Sequence, residues 1–205
     1  MFKFYNQYIL PRLLDRDMRP VEFNETRAEV VSQASGTVLE IGFGSGYNLP
    51  FYKEIEKLYA LDPSLELFAY AKYRIASAPF PVEYLRNSAE KIPLEDNSID
   101  TAVSTWSLCS IPDLPKALKE IKRVLKPNGK FIFIEHGQSP KRILSVAQRL
   151  FTQVTRHFTG NCHLDRKMDW FIADSGLIIE SIEMLPEEGR PLMFSYQGVA
   201  VNKAN

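Results

Sequence analysis

The sequence predicts an α/β protein whose sheet is doubly wound and mostly parallel. Three observations carry that expectation. Short runs of branched and aromatic residues recur between residues 37 and 136. Helical patterns separate them, as in repeated βαβ units. Near the C-terminus two strand-like runs then follow each other across a short turn-rich segment, which suits an antiparallel pair.

In order, "TVLEI" (37–41), "KLYALD" (57–62), "PVEYLR" (81–86), "IDTAVSTW" (99–106) and "KFIFIEH" (130–136) read as strands, because such residues fit a pleated, buried surface. Helices are expected at "LPFYKEI" (49–55), "SLELFAYAKYRIAS" (64–77) and "DLPKALKEIKRVLK" (113–126). In the last of these Leu114, Leu118, Ile121 and Leu125 recur at helical spacing. A long helix, "SPKRILSVAQRLFTQVTRHF" (139–158), and a second, "LDRKMDWFIADSG" (164–176), come next. The last strands are "LIIESIEML" (177–185) and "MFSYQGVAVNK" (193–203), joined by "PEEGRPL".

The 205 residues read as one domain, 1–205, with 1–30 as an N-terminal cap segment and 140–175 as cover helices; no repeat or linker interrupts them. Apolar residues make up 45% of the chain, enough for a buried core. Lys plus Arg and Asp plus Glu both number 25, so the basic excess of a nucleic-acid binder is missing and no nucleic-acid partner is expected. The two cysteines, Cys109 and Cys162, form no disulfide framework and fit a reducing, cytoplasmic setting. The N-terminal "MFKFYNQYILPRLLDRD" is apolar but broken by Lys3, Pro11 and Arg12, unlike a signal peptide. Without a spanning segment, any membrane contact is expected to be peripheral.

"VLEIGFGSGYN" places Gly42, Gly44 and Gly46 in a turn after a strand. Glycine there allows positive φ and close approach of a ligand to the backbone. The dinucleotide fingerprint would need a glycine where Tyr47 stands. Glu40, two residues before the first glycine, would repel a pyrophosphate but suits an ammonium-bearing ligand. Asp62 ends the next strand, where a carboxylate suits the two hydroxyls of a ribose.

"VLEIGFGSG", "LYALDPS", "NSAEKIPLEDNSID", "STWSLCSIPD" and "ALKEIKRVLKPNGKFIFIEHG" stand in the order and spacing of class I S-adenosylmethionine-dependent methyltransferases, which the chain resembles. It is similar to the ubiquinone/menaquinone-biosynthesis type and closer still to the animal thiol methyltransferases, through "LCS", "EH" and "GNCHLDR". The resemblance implies a Rossmann-like seven-stranded sheet, mostly parallel with an antiparallel last strand. It implies S-adenosyl-L-methionine as cofactor and S-adenosyl-L-homocysteine as product. It places Glu40, Gly42, Gly44, Gly46 and Asn48 at the methionine part and Asp62, Pro63 and Ser64 at the ribose. Ser88, Ala89 and Glu90 would border the adenine, and Thr105, Trp106 and Ser107 the sulfonium. An aromatic beside a sulfonium also follows from cation–π attraction; the other reading of Trp106 is a core aromatic.

Methyl transfer from a sulfonium asks mainly for alignment, and a thiol of pKa about 8.5 needs little help from a base. The expected acceptor is a small or lipid-like thiol, phenol or quinol. His136, ending the fifth strand, is the candidate catalytic base or substrate contact, or else a histidine that orients the next loop. Tyr5, Cys162 and His163 are candidate substrate contacts. The adjacent pair Cys162–His163 supplies no ligand set, so no metal is expected. In 139–158, Ile143, Leu144, Ala147, Leu150, Phe151, Val154 and Phe158 recur on one helical face, with Lys141, Arg142, Arg149 and Arg156 and no acidic residue. That reads as a cover helix, or as a lid resting on a membrane surface. A nicotinamide oxidoreductase is disfavoured by Tyr47 and Glu40. A nucleic-acid methyltransferase is disfavoured because "STWSLC" stands in place of the Asn/Asp-Pro-Pro-aromatic motif. A non-catalytic protein that binds the same cofactor remains the alternative reading.

Overall fold

The structure, a computed structural model, describes residues 4–20, 22–187 and 189–204, with the side chains of Asn6 and Glu22 left aside. Seven strands form one sheet in the order β3-β2-β1-β4-β5-β7-β6. They are β1 (Gly36–Ile41), β2 (Ile55–Leu61), β3 (Val82–Leu85), β4 (Ile99–Thr105), β5 (Leu125–His136), β6 (Ile178–Pro186) and β7 (Phe194–Val201). The pairs β1–β2, β1–β4, β2–β3 and β4–β5 are parallel, whereas β7 runs antiparallel to both β5 and β6.

The helices are α1 (Leu10–Asp17), α2 (Glu22–Val31), α3 (Leu65–Ala76), α4 (Leu114–Val124), α5 (Arg142–Thr155) and α6 (Met168–Asp174). Successive side chains of a strand face opposite sides, and the two cores divide accordingly. Val38, Val103, Ile132 and Ile134 pack with Val30, Val31 and Ala71 from α2 and α3. Leu39, Ala102, Phe131 and Phe133 pack with Leu118, Ile121, Met168 and Ile172 from α4 and α6. The central strands are therefore covered on both faces and carry near-continuous apolar runs. Ser64 caps α3 by accepting Leu67 N–H at 3.2 Å, and Asp113 caps α4 by accepting Lys116 N–H at 3.1 Å.

Two expectations are corrected, and a third lies partly outside the described residues. "LPFYKEI" is not a helix: only Leu49–Phe51 makes a 3₁₀ turn, and Ile55 already begins β2. Tyr52 is drawn inward instead, its hydroxyl donating to Glu40 at 2.7 Å. The expected cap segment 1–30 falls partly on residues 1–3 and 21, which lie outside the described residues; the rest forms a π-helical turn, Tyr5–Ile9, then α1 and most of α2. Finally, α5 turns its apolar side outward. Ile143, Val146, Leu150, Val154 and Phe158 are exposed, Ile143 at 85%, while Gln148 and Thr152 are buried. Specific hydrogen bonds hold that polar inner side. Gln148 accepts Ser139 N–H at 2.7 Å and donates to the carbonyls of Gly137 and Leu192, and Thr152 accepts Leu164 N–H. Among the described residues no helix is long and apolar enough to cross a membrane.

Candidate functional site

The chain leaves β1 toward β2 and β3 on one side and returns to β4 on the other, so the strand order reverses between the parallel neighbours β1 and β4. Ligands of open α/β sheets settle at such a point, beyond the carboxyl ends of the strands. A cavity of about 460 Å³ opens there, floored by residues 40–45, 47–48, 61–64 and 105–107 and roofed by Leu10, Pro11, Leu14 and Met18.

The glycine turn and the end of β2 form one unit. One carboxylate oxygen of Asp62 accepts Gly44 N–H at 2.9 Å, and the other accepts Ser64 N–H at 2.8 Å. Gly44 has φ +55°, and a Cβ built on it would meet no protein atom nearer than Gly42 O at 3.8 Å; the space it would enter belongs to the cavity. Gly42 is different, since a Cβ there would lie 2.1 Å from Ser107 Oγ. Burial raises the Asp62 carboxyl against the pull of the two N–H groups.

Glu40 lies beneath the turn, 2% exposed. It accepts Asn48 Nδ2–H at 2.9 Å and Tyr52 O–H at 2.7 Å. Burial lifts its carboxyl to about 8, against the opposing effect of those donors and of Arg27. Opposite, Glu135 organises the loop after β4, accepting Ser104 O–H at 2.6 Å, Ser107 N–H at 3.0 Å and Cys109 N–H at 3.2 Å. Within that loop Trp106 takes φ +50°, a left-handed conformation that costs a bulky residue about 1–3 kcal/mol. Phe23 of α2 meets the Trp106 ring edge-on at 4.9 Å.

A ligand with both donors and acceptors fits this cavity. Asn48 Oδ1 and Trp106 Nε1 are buried without a hydrogen-bond partner, and both residues line it. An unpaired buried polar atom costs about 1–3 kcal/mol, which a bound ligand relieves. Carboxylates at Glu40 and Asp62 offer acceptors to an ammonium and to a diol.

Of the residues expected at the cofactor, all line the cavity except Gly46 and Glu90. Gly46 turns toward Phe43, Leu49 and Ala71 in the core. Glu90 instead accepts Ser88 O–H at 2.8 Å and Asp113 N–H at 2.7 Å, joining the loop after β3 to the start of α4. The other candidates also stand off the cavity wall. Tyr5 donates its hydroxyl to Phe158 O at 2.8 Å. His163 Nδ1 lies 3.7 Å from Asp165. His136 is turned into a cluster with Cys109 and Cys162 and is not among the residues that line the cavity. The loop that "GNCHLDR" marked does reach the mouth, through Thr159 and Gly160.

Sequence reasoning missed the N-terminal wall. Arg27 is 1% exposed and lines the cavity, donating to Met18 O at 2.9 Å. Its guanidinium lies 5.4 Å from the Trp106 ring centre and 5.5 Å from that of Tyr47. Asp15 is 3% exposed, ion-paired to Arg19 and hydrogen-bonded by Tyr47 O–H at 3.2 Å. A signal was available in Asp15 and Arg19 at i, i+4.

A family model described as a methyltransferase domain matches residues 39–133. A thiol S-methyltransferase of Rattus norvegicus is 31% identical over 180 residues, covering 80% of this chain and 72% of that protein. A ubiquinone/menaquinone biosynthesis C-methyltransferase of Rickettsia bellii is 30% identical over 129 residues, 60% of this chain and 44% of its own. Among solved structures, a SAM-dependent methyltransferase of Aquifex aeolicus superposes with a TM-score of 0.64 at 19% identity, over 93% of this chain and 97% of that one. A geranyl diphosphate methyltransferase in complex with SAM gives a TM-score of 0.68 at 14% identity, over 88% and 84%. The likeness to the thiol S-methyltransferase spans most of both chains. The protein therefore belongs to the S-adenosylmethionine-dependent methyltransferases, and S-adenosylmethionine is its cofactor.

Proposed function

We propose that the protein methylates a small or lipid-like apolar acceptor, a thiol first and a phenol or quinol next. The carrying observation is the chemistry of the cavity wall. It includes no histidine, lysine or cysteine among the described residues. Its titratable groups are Asp15, Arg27, Glu40, Tyr47 and Asp62. Asp15 makes a poor base: burial raises its carboxyl, but Arg19, Ser45 and Tyr47 outweigh that and hold it below the ordinary range. Glu40 and Asp62 are committed to Asn48, Tyr52 and the glycine turn. An acceptor that ionises by itself near neutral pH suits such a wall, and a thiol does.

In this reading Glu40, Asn48 and the backbone of Gly42 and Gly44 hold the methionine part, and Asp62, Pro63 and Ser64 the ribose. Ser88 and Ala89 border the adenine, and Thr105, Trp106 and Ser107 the sulfonium. The cofactor supplies an electrophilic methyl on a sulfonium with a neutral leaving group. The chain aligns and excludes water: Leu10, Leu14, Met18 and Ile111 wall the acceptor side, and alignment of this kind supplies about 7–11 kcal/mol of a barrier.

The outward stripe of α5 favours an acceptor presented at a lipid surface. Exposed Ile143, Leu150 and Val154 stand among Lys141, Arg142, Arg149 and Arg156 with no acidic residue between 140 and 158. That pairing of apolar area with positive charge fits an anionic bilayer. The test is methyl transfer to alkyl thiols and to quinols, with and without anionic vesicles. Turnover of RNA or protein, with none of either small-molecule class, would remove the reading.

A further inference from the structure

We propose that Cys109, His136 and Cys162 form a zinc site. The three come from separate parts of the chain: the 3₁₀ turn Leu108–Ser110 after β4, the last residue of β5, and the loop between α5 and α6. Cys109 Sγ and Cys162 Sγ are 3.5 Å apart, and His136 Nδ1 lies 3.8 Å from the first and 3.5 Å from the second. Zinc binds thiolate sulfur at about 2.3 Å and imidazole nitrogen at about 2.0–2.1 Å. A tetrahedral centre then sets its ligand atoms about 3.8 Å apart for two sulfurs and about 3.5 Å apart for sulfur and nitrogen. The observed triangle has the size of one face of that tetrahedron.

The surroundings agree. A ligating histidine characteristically gives its other ring N–H to a carboxylate; His136 Nε2 lies 3.1 Å from Glu187 Oε1, within reach of such a bond though not aligned for it here. That oxygen is itself fixed by Ser195 O–H at 2.7 Å. Both cysteines are buried and free, and two thiolates with an imidazole select a soft or borderline cation over magnesium or calcium. The cluster is not part of the cavity wall, so the ion would sit apart from a ligand bound there. It would tie β5 and the turn at Cys109 to the loop that carries Thr159 and Gly160. That loop already bonds the turn, through His163 N–H to Cys109 O at 2.9 Å and Asn161 Nδ2–H to Ser110 O at 2.9 Å. With three protein donors, the fourth vertex falls to water or another small ligand. The donors of this set lie far apart in sequence, so the adjacent pair Cys162–His163 did not point to it, and His163 is not one of them.

The experiment uses the whole chain, untagged and purified in reductant, with metal content read by mass spectrometry and binding of added Zn²⁺ and Co²⁺ titrated after chelation. One zinc per chain is expected, with thiolate-to-cobalt charge-transfer absorption on substitution by Co²⁺. Cys162→Ser should abolish stoichiometric retention, and Glu187→Gln should weaken binding by about 10- to 100-fold with the fold intact by circular dichroism. Glu187→Gln keeps the proposal testable if Cys162→Ser does not fold. Folded, reduced wild-type protein that takes up neither ion would overturn the site. So would zinc retained by Cys162→Ser, unchanged affinity in Glu187→Gln, or a Cys109–Cys162 disulfide in the protein as isolated.

Discussion

Asp62 holds Gly44: its carboxylate accepts the glycine's backbone N–H at 2.9 Å while also accepting Ser64 N–H. The acid at the end of β2 therefore shapes the glycine turn as well as facing the cavity. A carboxylate oxygen has two lone pairs, so each still has capacity for a ligand hydroxyl.

Asp62→Ala should raise the KM for S-adenosylmethionine roughly 10- to 100-fold, the worth of hydrogen bonds to a charged group, and leave kcat at saturation within a few-fold. The ribose is remote from the methyl, so ground and transition states lose the same interaction. Steady-state kinetics with the cofactor varied checks this; a large fall in kcat at unchanged KM would remove the assignment.

Gly44→Val should fold and fail to bind S-adenosylhomocysteine. The positive φ costs about 1–3 kcal/mol, yet the new side chain meets cavity rather than protein. Gly189→Val is the control. That residue has φ +71° with no atom within 4 Å of a built Cβ, so it should lose similar stability and keep full binding. Thermal unfolding with calorimetry separates the two effects.

Much of the fold was legible because its strands are buried on both faces and contain β-branched runs, as in Val38–Ile41 and Phe131–Ile134. Local pattern misled where one long-range partner decides. Tyr52 turns in because Glu40 awaits it, and Gln148 turns in because Ser139, Gly137 and Leu192 bond it. The positions of Glu40, Asp62 and Trp106 at strand ends followed from the topology. His136 shared that location, but Cys109, Cys162 and Glu187, none of them its sequence neighbours, take its ring.

Glu40 predicts a pH dependence. Its carboxyl is raised by burial to about 8 in the folded protein, above the 4.5 of an exposed glutamate. The protonated form is thus favoured by folding: its contribution is full below about pH 4.5 and is lost as pH rises through 8. A ligand ammonium beside Glu40 favours the ionised form, so affinity for S-adenosylhomocysteine should rise between pH 6 and 8 with release of up to one proton. Calorimetry in buffers of different ionisation enthalpy reads that proton, and Glu40→Gln should abolish it.

Ile143→Asp combined with Leu150→Asp should leave stability within about 0.5 kcal/mol, as for other exposed positions, and leave turnover of a water-soluble thiol unchanged. Co-sedimentation with anionic vesicles should fall sharply. The wild-type association should itself weaken as salt is raised. Vesicle binding that survives both substitutions would assign the contact elsewhere.

The central claim is tested most directly by following methyl transfer from S-adenosylmethionine to an alkyl thiol, a phenol, a quinol, an RNA and a bulk protein substrate in parallel. Methylation of the thiol, lost in Gly44→Val and retained in Gly189→Val, is the predicted result. Methylation of the RNA or the protein with none of the three small acceptors would contradict it.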